Sequence, residues 1–208
     1  ASPSNGDQVG QVPVTVQGVA WSGEAPVATV ELSFDEGRTW EQARLVGDWT
    51  HLNFSRVIVR HPEMYRVFVP YIAQAIGGTK LPPRDREVLV VRTLALGRDV
   101  YEAHHHVQIA LKAGMSEADI AAVRSGADSL SDWDRLLVRA ADELVRDQML
   151  SDAAWAALAE RYSQAQLMDL VFLVGCYNVM AMLTNSFGME VESDPETDEK
   201  LKAMRQYT

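Results

Sequence analysis

The chain has 208 residues, 47% of them hydrophobic, and its 19 basic against 29 acidic side chains leave a formal net charge of −10. That is the size of one medium domain, or of one domain with a small appendage. A sequence pI near 4.9 without any basic run argues against nucleic acid or an anionic membrane as the main partner, because both would be repelled on average.

The single cysteine, Cys176, excludes an intramolecular disulfide framework, a CxxC redox pair and any cysteine-based zinc or iron–sulfur site. The longest apolar run, residues 167–183, is interrupted by Asp169, Gly175 and Asn178. It falls short of the roughly 18 continuous residues that a membrane span needs, so a soluble protein is expected. The chain starts at Ala1 rather than Met, which points to processing or trimming. Residues 1–11 lack the charged and apolar regions of a signal peptide; a cytoplasmic location is expected, with export left open.

After a flexible start over residues 1–11, residues 12–46 alternate with period two. Val14, Val16, Gly18 and Ala20 form one run, and Ala28, Val30, Leu32 and Phe34 another. Such Val- and Thr-rich alternation predicts a β hairpin or meander. The Asp35-Glu36-Gly37 tip is a hairpin signal, with Gly37 free to take positive φ. Residues 12–49 are too few to bury a core alone and are read as a β appendage. The string GVAWSGEAPVATVELSFDEGRTWEQARL over residues 18–45 resembles part of the immunoglobulin-like dimerisation domain of sulfite-oxidase-type molybdenum enzymes. The resemblance covers a strand motif and implies packing or oligomer contacts rather than molybdenum chemistry.

Beyond Trp49 the periodicity becomes helical, and residues 50–189 are read as one helical domain. Pro62 starts a helix with an apolar stripe of Tyr65, Val69, Ile72, Ala73 and Ile76, which Gly77-Gly78 ends. Pro82-Pro83 opens a second, carrying Val88, Val91, Leu94 and Ala95. A third runs from the Tyr101 region to Gly114, with Ile109 and Ala110 facing inward. Ser116 with Asp119, Ser131 with Asp134 and Ser163 with Gln166 are N-terminal capping patterns for three later helices. The last of these, running to about Phe187, is apolar almost all round and is expected to be central or at a subunit interface. Residues 190–208 form an acidic tail, expected to be solvated.

Ionisable groups gather beside apolar helix between Arg86 and His106. Glu102 and His106 are four residues apart and share a helical face, so a carboxylate there could orient and charge-stabilise an imidazole. General acid–base catalysis uses such a pair, and so does many an ordinary surface contact. Three adjacent histidines, His104 to His106, point about 100° apart on a helix. They are a poor metal cradle, and His104 and His105 are expected to be exposed or at an interface. A hard-ligand set of Glu87, Glu102 and His106 is the alternative metal reading; the expectation is no metal and no cofactor.

Residues 52–188 resemble the carboxymuconolactone decarboxylase family, related to the alkylhydroperoxidase D proteins. The motifs are RHPEMYRVFVPY at 60–71, LPPRDREVLVVRTLALGRDVYEAHHHVQIALKAGMSEADIAAV at 81–123 and SDAAWAALAERYSQAQLMDLVFLVGCYNVMAMLTNSFG at 151–188. The fold class implied is mainly α: an alkylhydroperoxidase-D-like helical bundle with a short N-terminal β appendage. Matched residue by residue, Glu87 is the acid of the R-E-L helix, and Glu102 and His106 are the acid and histidine of a Y-E-W-x-x-H motif. Ala103 stands where that motif has Trp, which alters the pocket. Peroxidase relatives carry C-x-x-C where this chain has Asp99 and Glu102, so thiol peroxidase chemistry is disfavoured. Cys176 is expected to be structural.

The resemblance implies a cofactor-independent lyase, a decarboxylase acting on a small unsaturated carboxylic acid or lactone. His106 would transfer the proton, tuned by Glu102 and Glu87, while Tyr101, Arg92, Arg98 and Tyr177 are candidates for holding substrate oxygens. Hydration, isomerisation or lactone opening on the same scaffold stays open. So does a non-catalytic oligomeric binding protein in which the pair is structural. A catalytic pair should line a pocket of roughly 300 Å³ beside Glu87, whereas a structural pair should be sealed by side chains. The expected partners are a small-molecule substrate and copies of the chain itself, as a trimer or hexamer, with no nucleic acid and no membrane.

Overall fold

The structure, a computed structural model, describes residues 31–33, 35, 37–42 and 52–192. In the N-terminal part, β1 (Glu31–Leu32) pairs antiparallel with β2 (Glu41–Gln42), in register Glu31 to Gln42 and Leu32 to Glu41. The turn is the one expected at the Asp-Glu-Gly tip. Asp35 accepts from both the backbone N–H and the hydroxyl of Thr39, each at 2.7 Å, and Gly37 takes φ +85°. The other predicted strands, over residues 12–30, lie outside the described residues.

The rest is helical: α1 (Asn53–Ile58), α2 (Pro62–Ala73), α3 (Pro83–Gly97), α4 (Val100–Lys112), α5 (Glu117–Ser125), α6 (Asp132–Arg146), α7 (Asp152–Ala159) and α8 (Gln164–Ser186). A π-helical turn, Gln74–Gly78, extends α2 to the predicted Gly-Gly stop. The three capping serines act as predicted. Ser116 and Ser163 form complete capping boxes. Ser131 caps α6, but the Asp134 carboxylate turns to a bidentate pair with Arg84 at 2.6 and 2.9 Å. Its stronger partner is the guanidinium.

The helix α1 carries no sequence signal, since its N-cap Leu52 has no capping side chain. The buried stripe of α2 is Phe68 and Ile72, continued by Ala75 in the π turn, while Ala73 is exposed. The most central helix is α3: residues 86–94 are all buried, and α3 packs against α4, α5, α6 and α8, which leaves for the last helix the other expected place, an interface. The last helix, α8, is long and apolar enough to cross a membrane by length and composition, which the interrupted run did not suggest. Half of that stretch is buried inside the bundle. Its outward side leaves Met168, Phe172, Val179 and Met182 exposed.

Close packing at the end of α3 sets up the site. A Cβ on Gly97 would come within 2.8 Å of the Ala181 Cβ, so glycine lets α3 approach α8, and Asn185 Nδ2 donates to the Gly97 carbonyl at 2.7 Å. Arg98 then caps α3 in the left-handed region, φ 52°. Asp99 starts α4 at once: one carboxylate oxygen accepts from Glu102 N–H at 2.9 Å and the other from the Thr184 hydroxyl at 2.9 Å. This two-residue turn fixes α4 against both α3 and α8.

Candidate functional site

The turn brings the middle of α3 beside the middle of α4. Glu87 is completely buried, and its two oxygens face different partners. Oε1 accepts from Arg86 Nε at 2.8 Å, and Oε2 lies 2.7 Å from His106 Nδ1. The far nitrogen of that imidazole, Nε2, lies 2.8 Å from the Tyr177 hydroxyl of α8. Arg86 is itself anchored, donating to the Ile76 carbonyl at 2.5 Å. The result is a buried chain, Arg86–Glu87–His106–Tyr177, tying three helices together. Burial pushes the Glu87 pKa up, but His106 and Arg86 outweigh it and hold the carboxyl below its ordinary value. Desolvation holds the Tyr177 phenol well above its ordinary value, so it is a neutral hydroxyl at every working pH.

Glu102 stands apart from this chain. The expected Glu102 to His106 contact is not made, because both imidazole nitrogens are engaged by Glu87 and Tyr177. Glu102 is buried, and desolvation lifts its pKa to about 7 against the pull of His106 and His105. Asp99 and Glu192 push it further up. A carboxyl poised there is protonated and deprotonated in comparable amounts at neutral pH, the condition under which general acid–base catalysis works best.

The substrate-binding candidates separate. Tyr177 joins the chain at His106, and Tyr101 lies beside Glu102, its hydroxyl donating to Glu192 Oε1 at 2.6 Å and receiving Phe54 N–H at 3.2 Å. Arg92 is elsewhere: it forms a bidentate pair with Asp142 at 2.5 and 2.9 Å and donates to the Arg124 carbonyl, clamping α3 to α6. Arg98 is the exposed left-handed cap of α3. Of the adjacent histidines, His104 is exposed while His105 is buried, its ring edge-on to Tyr101 at 4.9 Å. Its Nε2 lies 3.3 Å from Glu192 Oε2. The side chain of Glu192, expected in a solvated tail, is only 3% exposed. Neither Arg86 nor Glu192 was singled out as a site residue by the sequence. The R-E-L motif held the signal for Arg86, and Glu192 had none.

Two clefts, of about 460 Å³ around Arg84, Trp133 and Asp134 and about 260 Å³ around Arg92, Arg139 and Asp142, do not touch the Glu87–His106 chain. Among the described residues no group of three His, Cys, Asp or Glu side chains converges as metal ligands do. Cys176 is fully buried, and desolvation pushes its thiol up to about 12.

Residues 62–147, the span that holds Glu87, Glu102 and His106, match the model of the carboxymuconolactone decarboxylase family. Residues 2–60, which include the strand motif of residues 18–45, match the model of the Mo-co oxidoreductase dimerisation domain. No curated protein matches the chain. Among solved structures it is similar to a protein of unknown function from Agrobacterium tumefaciens, described as an AhpD-type antioxidant defence protein: TM-score 0.59, 15% identity, 69% of this chain and 99% of that one. It is also similar to an alkylhydroperoxidase AhpD core protein, peroxidase-related, from Ralstonia eutropha JMP134, with TM-score 0.58, 19% identity, and 68% and 76% coverage. A peroxidase-related protein from Silicibacter sp. TM1040 gives TM-score 0.60 at 13% identity, with the same coverage. At such identities the likeness is one of fold: the helical region has an alkylhydroperoxidase-D-like scaffold.

Proposed function

We propose that this chain is a cofactor-independent acid–base enzyme of the carboxymuconolactone decarboxylase type, acting on a small unsaturated carboxylic acid or lactone. The observation that carries the reading is a buried Glu102 carboxyl with a pKa near 7, set on α4 one turn before an imidazole held by Glu87 and Tyr177. In this reading Glu102 exchanges the proton with substrate. His106 is a positioning residue, because both its nitrogens are already engaged. In a decarboxylation the bond to the departing carboxylate breaks, CO2 leaves, and the electron pair passes into the conjugated carbonyl. Glu102 then delivers its proton to the carbon and is reprotonated from water. Hydration, isomerisation and lactone opening need the same proton transfers.

Peroxidase chemistry, suggested by the descriptions of the similar structures, fits the residues poorly. Asp99 and Glu102 occupy the thiol positions, and Cys176 is buried with a thiol near 12, which leaves almost no thiolate nucleophile at neutral pH. A second reading, a non-catalytic binding protein, is favoured by one observation: Glu87, His106 and Tyr177 are sealed from solvent, as a structural pair should be. Self-association is part of the proposal under either reading, with the exposed apolar side of α8 as the contact.

A panel of small unsaturated acids and lactones, followed by CO2 release and ultraviolet absorbance, tests the function. With any substrate that turns over, E102Q should lose 10² to 10⁴-fold, the usual worth of a general acid, and the wild-type rate should fall as pH rises through about 7. A folded E102Q at wild-type rate would overturn the assignment and favour the structural reading.

A further inference from the structure

Glu192 places a further carboxylate near Glu102, beside that of Asp99, and the acid–base reading gives it no role. After α8 the chain turns at Gly188, φ 58°, and residues 189–192 run without helix or strand back along α1 and α4. Oε1 of Glu192 accepts from the Asn53 backbone N–H at 2.7 Å and from the Tyr101 hydroxyl at 2.6 Å. Oε2 faces His105 Nε2 at 3.3 Å. Two hydrogen-bond donors and an imidazole at ion-pair distance, from two helices, thus converge on one carboxylate, a group that only accepts hydrogen bonds once ionised. Burial raises its pKa, yet His105, Tyr101 and Asn53 together bring it down to about 2.

We propose that Tyr101, His105 and the Asn53 N–H form a carboxylate-binding subsite, which Glu192 fills in the resting chain and a small carboxylate ligand takes over when residues 189–192 lift away. Two features argue that the cradle belongs to the scaffold and Glu192 is its exchangeable occupant. Tyr101 is 2% exposed, packed edge-on against His105 and held also by Phe54 N–H. The occupant rides on a short irregular segment tied down by Met189 N–H to the Thr184 carbonyl and Asn53 Nδ2 to the Glu190 carbonyl, both 2.9 Å, and by the packing of Met189 and Val191 on the core. An anchor with no other role would be served by the amide oxygen of Gln, which accepts from the same donors. A carboxylate there adds a like charge beside Glu102 and Asp99, which costs stability. Tyr101 and His105 also flank Glu102 on α4. A ligand carboxylate in the cradle would therefore bring its next carbons to the proton-exchanging group. That last step rests on the proposed acid–base function; the subsite itself does not.

A tethered occupant competes with free ligand and weakens its apparent affinity by the fraction of time the cradle is filled. Propionate, which reproduces the end of a glutamate side chain, is the probe. Calorimetry on the full chain at pH 7.5 should show E192A binding propionate at least tenfold more tightly than wild type. Y101F/E192A should lose that gain. In the wild type, saturating propionate should speed hydrogen exchange at the Val191 and Glu192 amides while α4 stays protected. Equal affinity in E192A and wild type, affinity indifferent to Y101F, or unmoved exchange at 191 and 192 would each overturn the proposal. If E192A loses its helical signal, E192D, whose carboxylate is one methylene short of the cradle, carries the same comparison with the charge kept. Because binding is read without turnover, an inactive chain that passes this test would count against the lyase reading alone.

Discussion

Glu87 and His106, nineteen residues apart, meet at 2.7 Å across the α3–α4 turn, and the other oxygen of Glu87 takes Arg86 at 2.8 Å. The carboxylate is fully buried, so its charge is balanced by these neighbours and not by water. Removing one member of such a set leaves the others buried and uncompensated, typically at a cost of about 3–5 kcal/mol. E87Q should therefore lose roughly that much in urea unfolding. R86L/E87L should lose less than the two single variants added together, since the residues are coupled. The stabilisation has a defined pH window. A carboxyl held below its ordinary 4.5 contributes fully above that value, and its contribution is lost as pH falls through the lowered one.

Glu102 has the opposite sign. Its pKa rises from 4.5 to about 7, so between those values the native chain binds more protons than the unfolded chain, and stability falls as pH rises. The effect is complete above about pH 7 and amounts to roughly 3 kcal/mol at 1.36 kcal/mol per unit. Urea unfolding at pH 5 and pH 8 should show this loss in the wild type and much less of it in E102Q. Equal slopes in the two proteins would contradict it.

Cys176 should behave as a core residue. With the thiol fully buried and near 12, a thiol reagent at pH 8 should label the native chain far more slowly than the chain in urea, and C176A should not change any peroxide consumption. Rapid stoichiometric labelling of the native chain would place the thiol within reach of solvent and reopen the peroxidase reading.

The outward side of α8 carries Met168, Phe172, Val179 and Met182, each more than 40% exposed, along one side of a 23-residue helix. Contiguous apolar surface of this kind marks a contact with another chain. Light scattering at micromolar concentration should give a multiple of the 23.1 kDa chain, and M168E/M182E should lower it. A wild-type mass near that of one chain would reject self-association.

Much of this was legible in the sequence because local chemistry decided it. Ser116 and Ser163 cap their helices through their own neighbours, and the Asp-Glu-Gly tip forms its turn through Asp35 and Thr39. The Glu102–His106 face was legible too, but the true partner of His106 was not. That choice depends on how α3 and α4 meet, which Gly97 sets by letting α3 close on Ala181 of α8. The centrality of α3 was masked by Arg86, Glu87 and Arg92, charges that suggest solvent and are in fact paired inside. Glu192 was hidden in an acidic run, and only the fold shows Tyr101 and Asn53 waiting for it.

The chemistry of the site turns on Glu102 being held near neutrality. Glutamate labelled with carbon-13 at Cδ, with E102Q to assign the resonance, would report its ionisation directly in a pH titration and needs no substrate. The expected result is an apparent pKa near 7, rising in H106A, which removes a group that lowers it. A Glu102 resonance that titrates near the ordinary 4.5 would contradict it.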